Sequence, residues 1–487
     1  MTDLLTSPAP PAPAVADAKP AGHPKRWLIL AVVLAAECMD LLDGMIVNVA
    51  APAISRDLGA SSTGLQWMVG GYALTFAIGL ITGARLGDIY GRRRLFLIGV
   101  AGFTASSVLC GLAPTTGTLI AARLVQGVFA ALLIPQGFGI IRQVFPPDEI
   151  GKAFGLFGPV IGLSAVLGPV LGGALVDLDI LGAGWRTIFL INVPLGLAAL
   201  VGAARLLPES RAERPPTLDL AGAALVSLGA ALLIYPLIQG RELDWPWWTF
   251  ASIAASFVVF FAFAALARRR EREGVSPLVT PSLFRKQAFT GGLATALVFF
   301  AGMIGMIFSL TLCLQIGLHY SAVHSGVSLI AWSLGTAIGA GTGAAVLAPR
   351  FGRRTLHAGV ALMLAGVLSM LWVVHSAGSG LTTWDLVFPE LLGGAGMGMV
   401  LAPLFDIILA GVDDDEVGSA SGTLNAVQQL GGALGVAVLG TLFFSAAAAH
   451  GFLVAFERTL WVESAVLVAT AALVFLLPMR AREEVPA

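Results

Sequence analysis

Leu86–Arg93 reads LGDIYGRR and Leu347–Arg354 reads LAPRFGRR, the same pattern 261 residues further along the chain. Leucine, glycine and both arginines stand in register, and Tyr90 is matched by Phe351. Each copy lies between two long apolar stretches. A basic loop repeated between apolar stretches implies two structurally equivalent halves in a membrane. Two such halves facing each other are the geometry of a carrier that alternates its opening.

Composition points the same way. Of 487 residues, 57% are hydrophobic and 12% charged, whereas a soluble domain carries about 25% charged residues. This excludes an ordinary globular enzyme. A net charge of −1 offers nothing to nucleic acid. Cys38, Cys110 and Cys313 stand far apart in apolar stretches and read as small hydrophobes, not as disulfides or metal ligands. No lysine lies within an apolar stretch. The nearest approach to a phosphate-binding loop, Gly151-Lys152, has Pro146 and Ala153 where Gly and Ser/Thr are needed. No cofactor is expected, so the driving force is an ion gradient or the solute's own.

A membrane span needs about 20 apolar residues. Fourteen are predicted: 27–51, 65–85, 95–113, 117–140, 153–177, 187–207, 219–238, 247–267, 289–315, 324–347, 356–375, 385–410, 418–447 and 458–478. With the N-terminus inside, 23 of the 28 Lys and Arg fall on the cytoplasmic side, as the positive-inside rule requires. The repeat then divides the chain: a disordered cytoplasmic tail (1–26), a six-helix lobe (27–207), a two-helix insertion with linkers (208–288), a second six-helix lobe (289–478) and a cytoplasmic tail (479–487). The fold class expected is an all-α integral membrane protein with two pseudo-symmetric lobes and an inserted pair. The linker Arg268–Gln287 is the longest loop and is expected to act as a hinge or surface helix.

Polar residues at membrane depth are functional by default. Glu37, Asp40 and Asp43 with Asn48 fall within an arc of about 140° on one helix face, suited to binding a proton or a cation. Arg123, Gln126 and Gly127 share a face of span 4. Glu390 stands in span 12 near the position repeat-equivalent to Arg123, a candidate proton partner for it. Asp406 and Glu463 are expected near the membrane boundary. Asp88 followed by Gly91, Arg92 and Arg93, together with Arg353 and Arg354, reads as a gating latch, with Gly91 allowing the turn. Gly168, Gly172 and Gly173 beside Pro169 read as a seam for close helix approach. Candidate cavity walls are Trp67, Tyr72, Gln126, Phe299, Phe308, Gln315, Trp332 and Asn425.

These motifs resemble the Major Facilitator Superfamily in its fourteen-span drug:proton antiporter branch. Leu86–Arg93 is similar to its hallmark loop, with Ala84 at the usual first glycine. Leu42-Asp43 through Asn48 to Pro52, Arg123-Leu-Val-Gln126-Gly127, Gly168-Pro169-Val-Leu-Gly172-Gly173, and Trp185-Arg186 with Phe189, Asn192, Pro194 and Gly196 are similar to its other motifs. The resemblance implies a monomeric carrier in a bacterial cytoplasmic membrane that exports amphipathic, mainly cationic drugs against proton influx. It implies that Arg123 acts in proton transfer. A dedicated exporter of one natural product, a metabolite importer and a membrane sensor are the alternatives. No loop is long enough to hold the soluble domain that a sensor needs.

Overall fold

The computed structural model describes residues 22–211, 217–413 and 416–480, and its described residues are almost entirely helical. The expected N-terminal tail (apart from its last residues), most of the C-terminal tail, Arg214 and Arg482 lie outside them. The helices of the first half are α1 (Arg26–Leu58), α2 (Ser62–Tyr90), α3 (Arg92–Gly111), α4 (Thr116–Val144), α5 (Phe157–Asp177) and α6 (Asn192–Leu206). An inserted pair follows, α7 (Leu220–Gln239) and α8 (Trp247–Arg272). The second half comprises α9 (Gln287–Leu312), α10 (Ile330–Thr342), α11 (Arg353–Ala377), α12 (Thr383–Ala410), α13 (Val417–His450) and α14 (Phe452–Val474). Short helical pieces extend several of these, notably Ala322–Ser328 before α10.

The predicted stretches fall on these helices, but most helices run several residues further. Hydropathy marks the bilayer core, whereas a helix continues until a cap or a turn stops it. Ser61 caps α2 through Gly64 N–H, and Thr115–Thr118 and Thr382–Asp385 form capping boxes at α4 and α12. Eleven helical stretches among the described residues are long and apolar enough to cross a membrane. Of the other three expected spans, α1 carries Glu37, Asp40 and Asp43, and α14 carries Glu457, Arg458 and Glu463. The third, α5, qualifies only as a shorter apolar helix, Gly162–Asp177.

The repeat is visible in the packing. In the first half α2 packs on α4, α3 on α4, α1 on α5, α3 on α6 and α1 on α6. Every one of these pairings recurs eight helices later: α10–α12, α11–α12, α9–α13, α11–α14 and α9–α14. The halves meet chiefly through α2 against α13 and through α5 against α10 and the short helix before it. Those two contacts are themselves exchanged by the repeat. The inserted helix α7 lies against both α2 and α13, while α8 packs chiefly on α7.

Glycine sets how close the helices come. A Cβ at Gly339 would lie 2.0 Å from Ala395 O, and one at Gly394 would lie 2.0 Å from Trp332 O. The α10–α12 crossing is therefore backbone against backbone. Without a strong hydrophobic drive between helices in lipid, such close packing is a main source of association.

Candidate functional site

The acids of α1 and the arginine of α4 come together inside the first half. The Arg123 guanidinium donates to Asp43 Oδ2 and, at 2.7 Å, to Gln126 Oε1. Its Nε donates to Met68 O at 3.2 Å. Asp43 Oδ1 accepts from Gln126 Nε2 at 3.0 Å and from Asn192 Nδ2 at 2.8 Å. Ser107 Oγ accepts from both of those amides at 2.8 Å. Arg123, Asp43, Gln126, Ser107 and Asn192 are all 0–1% exposed. The guanidinium also lies over the Tyr72 ring, 4.1 Å from its centroid, and the Tyr72 hydroxyl donates to Asp40. Five helices, α1, α2, α3, α4 and α6, thus contribute to one buried cage around one ion pair.

Charge at this depth is tolerable only because it is paired and hydrogen-bonded on several sides. In this arrangement each charge balances the other, so neutralising either one leaves its partner buried without its bonded counter-charge.

The spacing of Arg123 and Gln126 on one face holds, and Gly127 of that face lies against Tyr72 O and Thr75 on α2. Two members of the cage escaped the reading of individual residues. Asn192 was noted only within a motif, and Ser107 not at all. A serine in an apolar helix ordinarily satisfies its own helix carbonyl, so sequence gives no signal that Ser107 turns inward. Glu37 is half-buried and lies on α1 before Asp40.

The predicted Arg123–Glu390 pairing does not occur. Arg123 is taken by Asp43 of its own half, while Glu390 is fully buried against the Trp332 backbone, with neither oxygen in a well-formed hydrogen bond. Glu463 corrects another expectation. It lies mid-helix, 0% exposed, with its carboxyl against Gly302 of α9 and no hydrogen-bond partner, instead of at the boundary. Asp406 is exposed, as expected of a helix end.

The candidate cavity walls do not gather in one place. Tyr72 and Gln126 belong to the cage. Trp67 packs at a tilt against Tyr235 of the inserted pair, with ring centroids 5.9 Å apart. Phe299 and Phe308 are fully buried, against Phe300 and Phe444. Trp332 fills the α10–α12 crossing over Gly393 and Gly394. Gln315 bridges the halves through Val49 O at 2.7 Å. Asn425 is half-buried on α13, in line with Gln428 and Gln429.

Both repeated loops turn on a glycine with positive φ, Gly91 at 106° and Gly352 at 53°. Each loop docks on its own half. Arg92 N–H donates to Ser210 O and Arg353 N–H to Met479 O, both at 2.9 Å. Asp88 pairs with Arg92 at 2.8 Å. Arg93 donates to Ala204 O at 2.6 Å, Arg353 to Leu477 O at 2.6 Å, and Arg354 is exposed. The glycines of the seam on α5 do serve close approach: Gly168 faces Met45 and Gly172 faces Ile46 of α1, while Gly173 and Pro169 meet Ala322 and Gly326 of the second half.

Residues 33–436 match the family model for the Major Facilitator Superfamily. The chain belongs to that superfamily. It is 51% identical over 434 residues to the probable actinorhodin transporter of Streptomyces coelicolor, covering 89% of this chain and 75% of that one. It is 37% identical to the puromycin resistance protein pur8 of Streptomyces alboniger, covering 88% and 84%. It is 35% identical to the tetracenomycin C resistance and export protein of Streptomyces glaucescens, covering 86% and 76%. These relatives put it in the drug-efflux branch. The crystal structure of a D-xylose-proton symporter superposes with a TM-score of 0.66 over 93% of this chain and 98% of that one, at 14% identity. This superfamily member therefore has the family and fold of a transporter of small molecules, not of an enzyme.

Proposed function

We propose that this protein is a proton-coupled exporter that expels amphipathic drugs or antibiotics by alternating access. The observation that carries this is the buried Asp43–Arg123 pair in its cage of Gln126, Asn192 and Ser107. A proton arriving at Asp43 discharges the pair and frees Arg123, and the first half then repacks against the second. Asp40, tied to Tyr72 on the same helix face, and Glu37 accept positive charge from the cargo or a further proton. Glu390, buried in the second half without a counter-charge, is a second candidate proton carrier. Moving one charge through 100 mV yields about 2.3 kcal/mol, enough to concentrate a solute some fifty-fold. On this reading the protein is a monomer in a bacterial cytoplasmic membrane with both termini in the cytoplasm, an orientation that the charge bias of the loops supports.

Three relatives are named for single antibiotics, and this favours a second reading, a dedicated exporter of one natural product. Both readings are tested in inside-out vesicles holding a respiratory pH gradient reported by a quenched dye. Adding ethidium or a quaternary ammonium compound dequenches the dye if a cationic drug exchanges for protons, and Asp43→Asn abolishes the response. Silence across a cationic panel, with a response to one aromatic antibiotic, selects the dedicated exporter. A gradient unmoved by any cargo refutes proton coupling.

A further inference from the structure

The two ends of the molecule hold the halves together differently. At the end opposite the repeated loops the contacts are direct. Gln66 Nε2 on α2 donates to Val436 O at 2.9 Å, Ala437 O at 3.2 Å and Thr441 Oγ1 at 3.1 Å on α13. Val323 N–H donates to Asp177 at 3.0 Å, and Gly173 lies against Ala322. At the end carrying the repeated loops, the hydrogen bonds and ion pairs that join the halves among the described residues run through the linker that follows the inserted pair.

One end of that linker is buried. The Arg85 guanidinium, on the last turns of α2, donates to Thr217 O at 3.2 Å, Ser276 O at 3.4 Å, Leu278 O at 3.1 Å and also Pro277 O. Asp219, 2% exposed, accepts from Gly222 N–H at 2.7 Å and Leu278 N–H at 2.9 Å, and pairs with Arg270 at 3.0 Å. Both ends of the inserted pair therefore converge on α2 of the first half. The chain then runs through buried Val279 and Leu283 to the second half. Thr280 donates to Ser419, Ser282 donates to Glu416, and Lys286 Nζ pairs with Asp413 at 2.8 Å and Glu416 at 2.9 Å. This second attachment is the wetter one, for the Asp413 side chain is 74% exposed.

We propose that Ser276–Lys286 is a strap between the halves, fixed at Arg85 and Asp219 and released at Lys286 when the end bearing the repeated loops closes. The inference rests on the alternating-access reading above. Bringing the halves together at this end changes the distance from Arg85 to the start of α13, and the short strap cannot follow without yielding at one attachment. Asp219 is buried and held by several bonds, so parting it leaves a buried charge unpaired, which is costly. The Lys286–Asp413 pair opens to water through Asp413, where an ion pair is weak and salt screens it, while Glu416 is the more covered partner at 11% exposure. The Lys286 end yields first. With the strap fastened, the conformation clasped at Gln66 is favoured.

The test uses the full chain in lipid nanodiscs with spin labels at Leu112→Cys and Ser379→Cys, exposed positions on the clasped end of each half. Pulsed electron resonance gives the populations of the short (clasped) and long (opened) distances. Lys286→Glu is expected to raise the long-distance population two- to fivefold, the range of one or two weak surface pairs. Lys286→Glu with Glu416→Lys is expected to restore the wild-type ratio, and 1 M salt to mimic the single variant. Wild-type ratios in both Lys286→Glu and Arg85→Ala would overturn the strap while leaving alternating access standing. A wild type confined to one distance at every pH and with every cargo would overturn alternating access, and the strap with it.

Discussion

Removing the buried ion pair whole should cost about as much as breaking it from one side, and far less than the two breaks summed. Arg123→Met leaves Asp43 as an anion with only Gln126 and Asn192 to hold it. Asp43→Asn leaves a guanidinium facing Met68 O and Gln126 with no counter-charge. Stranding one member of a buried pair costs about 3–5 kcal/mol. In the double variant both charges are gone, and the introduced asparagine keeps neutral hydrogen bonds to the amides of the cage. Its cost is expected to stay near that of one single variant, a coupling of about 3 kcal/mol, or roughly 150-fold in the folding equilibrium. The assay is reversible unfolding in mixed micelles, followed by tryptophan fluorescence for wild type, both single variants and the double. All three variants should lose proton exchange, the double variant included. Costs that simply add, to within about 0.5 kcal/mol, would refute the claim that these residues form one charged unit.

Two glycines of α13 should part company. Gly435→Ala forces a methyl to within 2.0 Å of Ala301 O and is expected to destabilise by about 1–3 kcal/mol, whereas Gly418→Ala meets nothing within 4 Å and is expected to be neutral or slightly stabilising; thermal unfolding in detergent separates them. The strap should be insensitive to pH around neutrality. The Ser282 hydroxyl and the Lys286 ammonium hold Glu416 below the ordinary carboxylate range, so its contribution is present above that range and is lost only as pH falls through the lowered value. Asp413 and Glu416 hold Lys286 above its ordinary value, so its contribution is lost only as pH rises through the raised value. The effect of Lys286→Glu on the spin-label distances should therefore be the same at about pH 6 and about pH 8, and a change between them would point to a histidine acting at this place.

Much of this architecture is legible in the chain because a bilayer imposes simple demands. Long apolar runs became helices, and the duplicated loop became two halves with matching packing. Asp43, Arg123 and Gln126 were each legible because charge at membrane depth must have a reason, but the partner expected for Arg123 was Glu390, not Asp43. What sequence leaves out is which neighbour each side chain meets. Glu463 looked peripheral by its distance along the chain, yet α9 covers it at Gly302. Trp332 and Phe308 looked like cavity walls because aromatic rings line cavities, but glycine on the facing helices let them sink into packing. Ser107 and Asn192 carry no periodic mark, and their role exists only where four helices, α1, α3, α4 and α6, converge. The strap was hidden for a related reason: Arg85 and Lys286 had been counted as topology charges, and their partners lie more than a hundred residues away.

The position of α7 makes the two flanks of the molecule unlike toward lipid. Two six-helix halves alone would present a matching fissure on each side, one along α2 and α13 and one along α5 and α10. Here α7 lies along the first and α8 backs it, whereas no described helix of the inserted pair packs along the second. A greasy molecule dissolved in the bilayer thus meets the inserted pair on one flank and the α5–α10 seam itself on the other. The added helices turn a symmetric particle into one with a sidedness within the plane of the membrane.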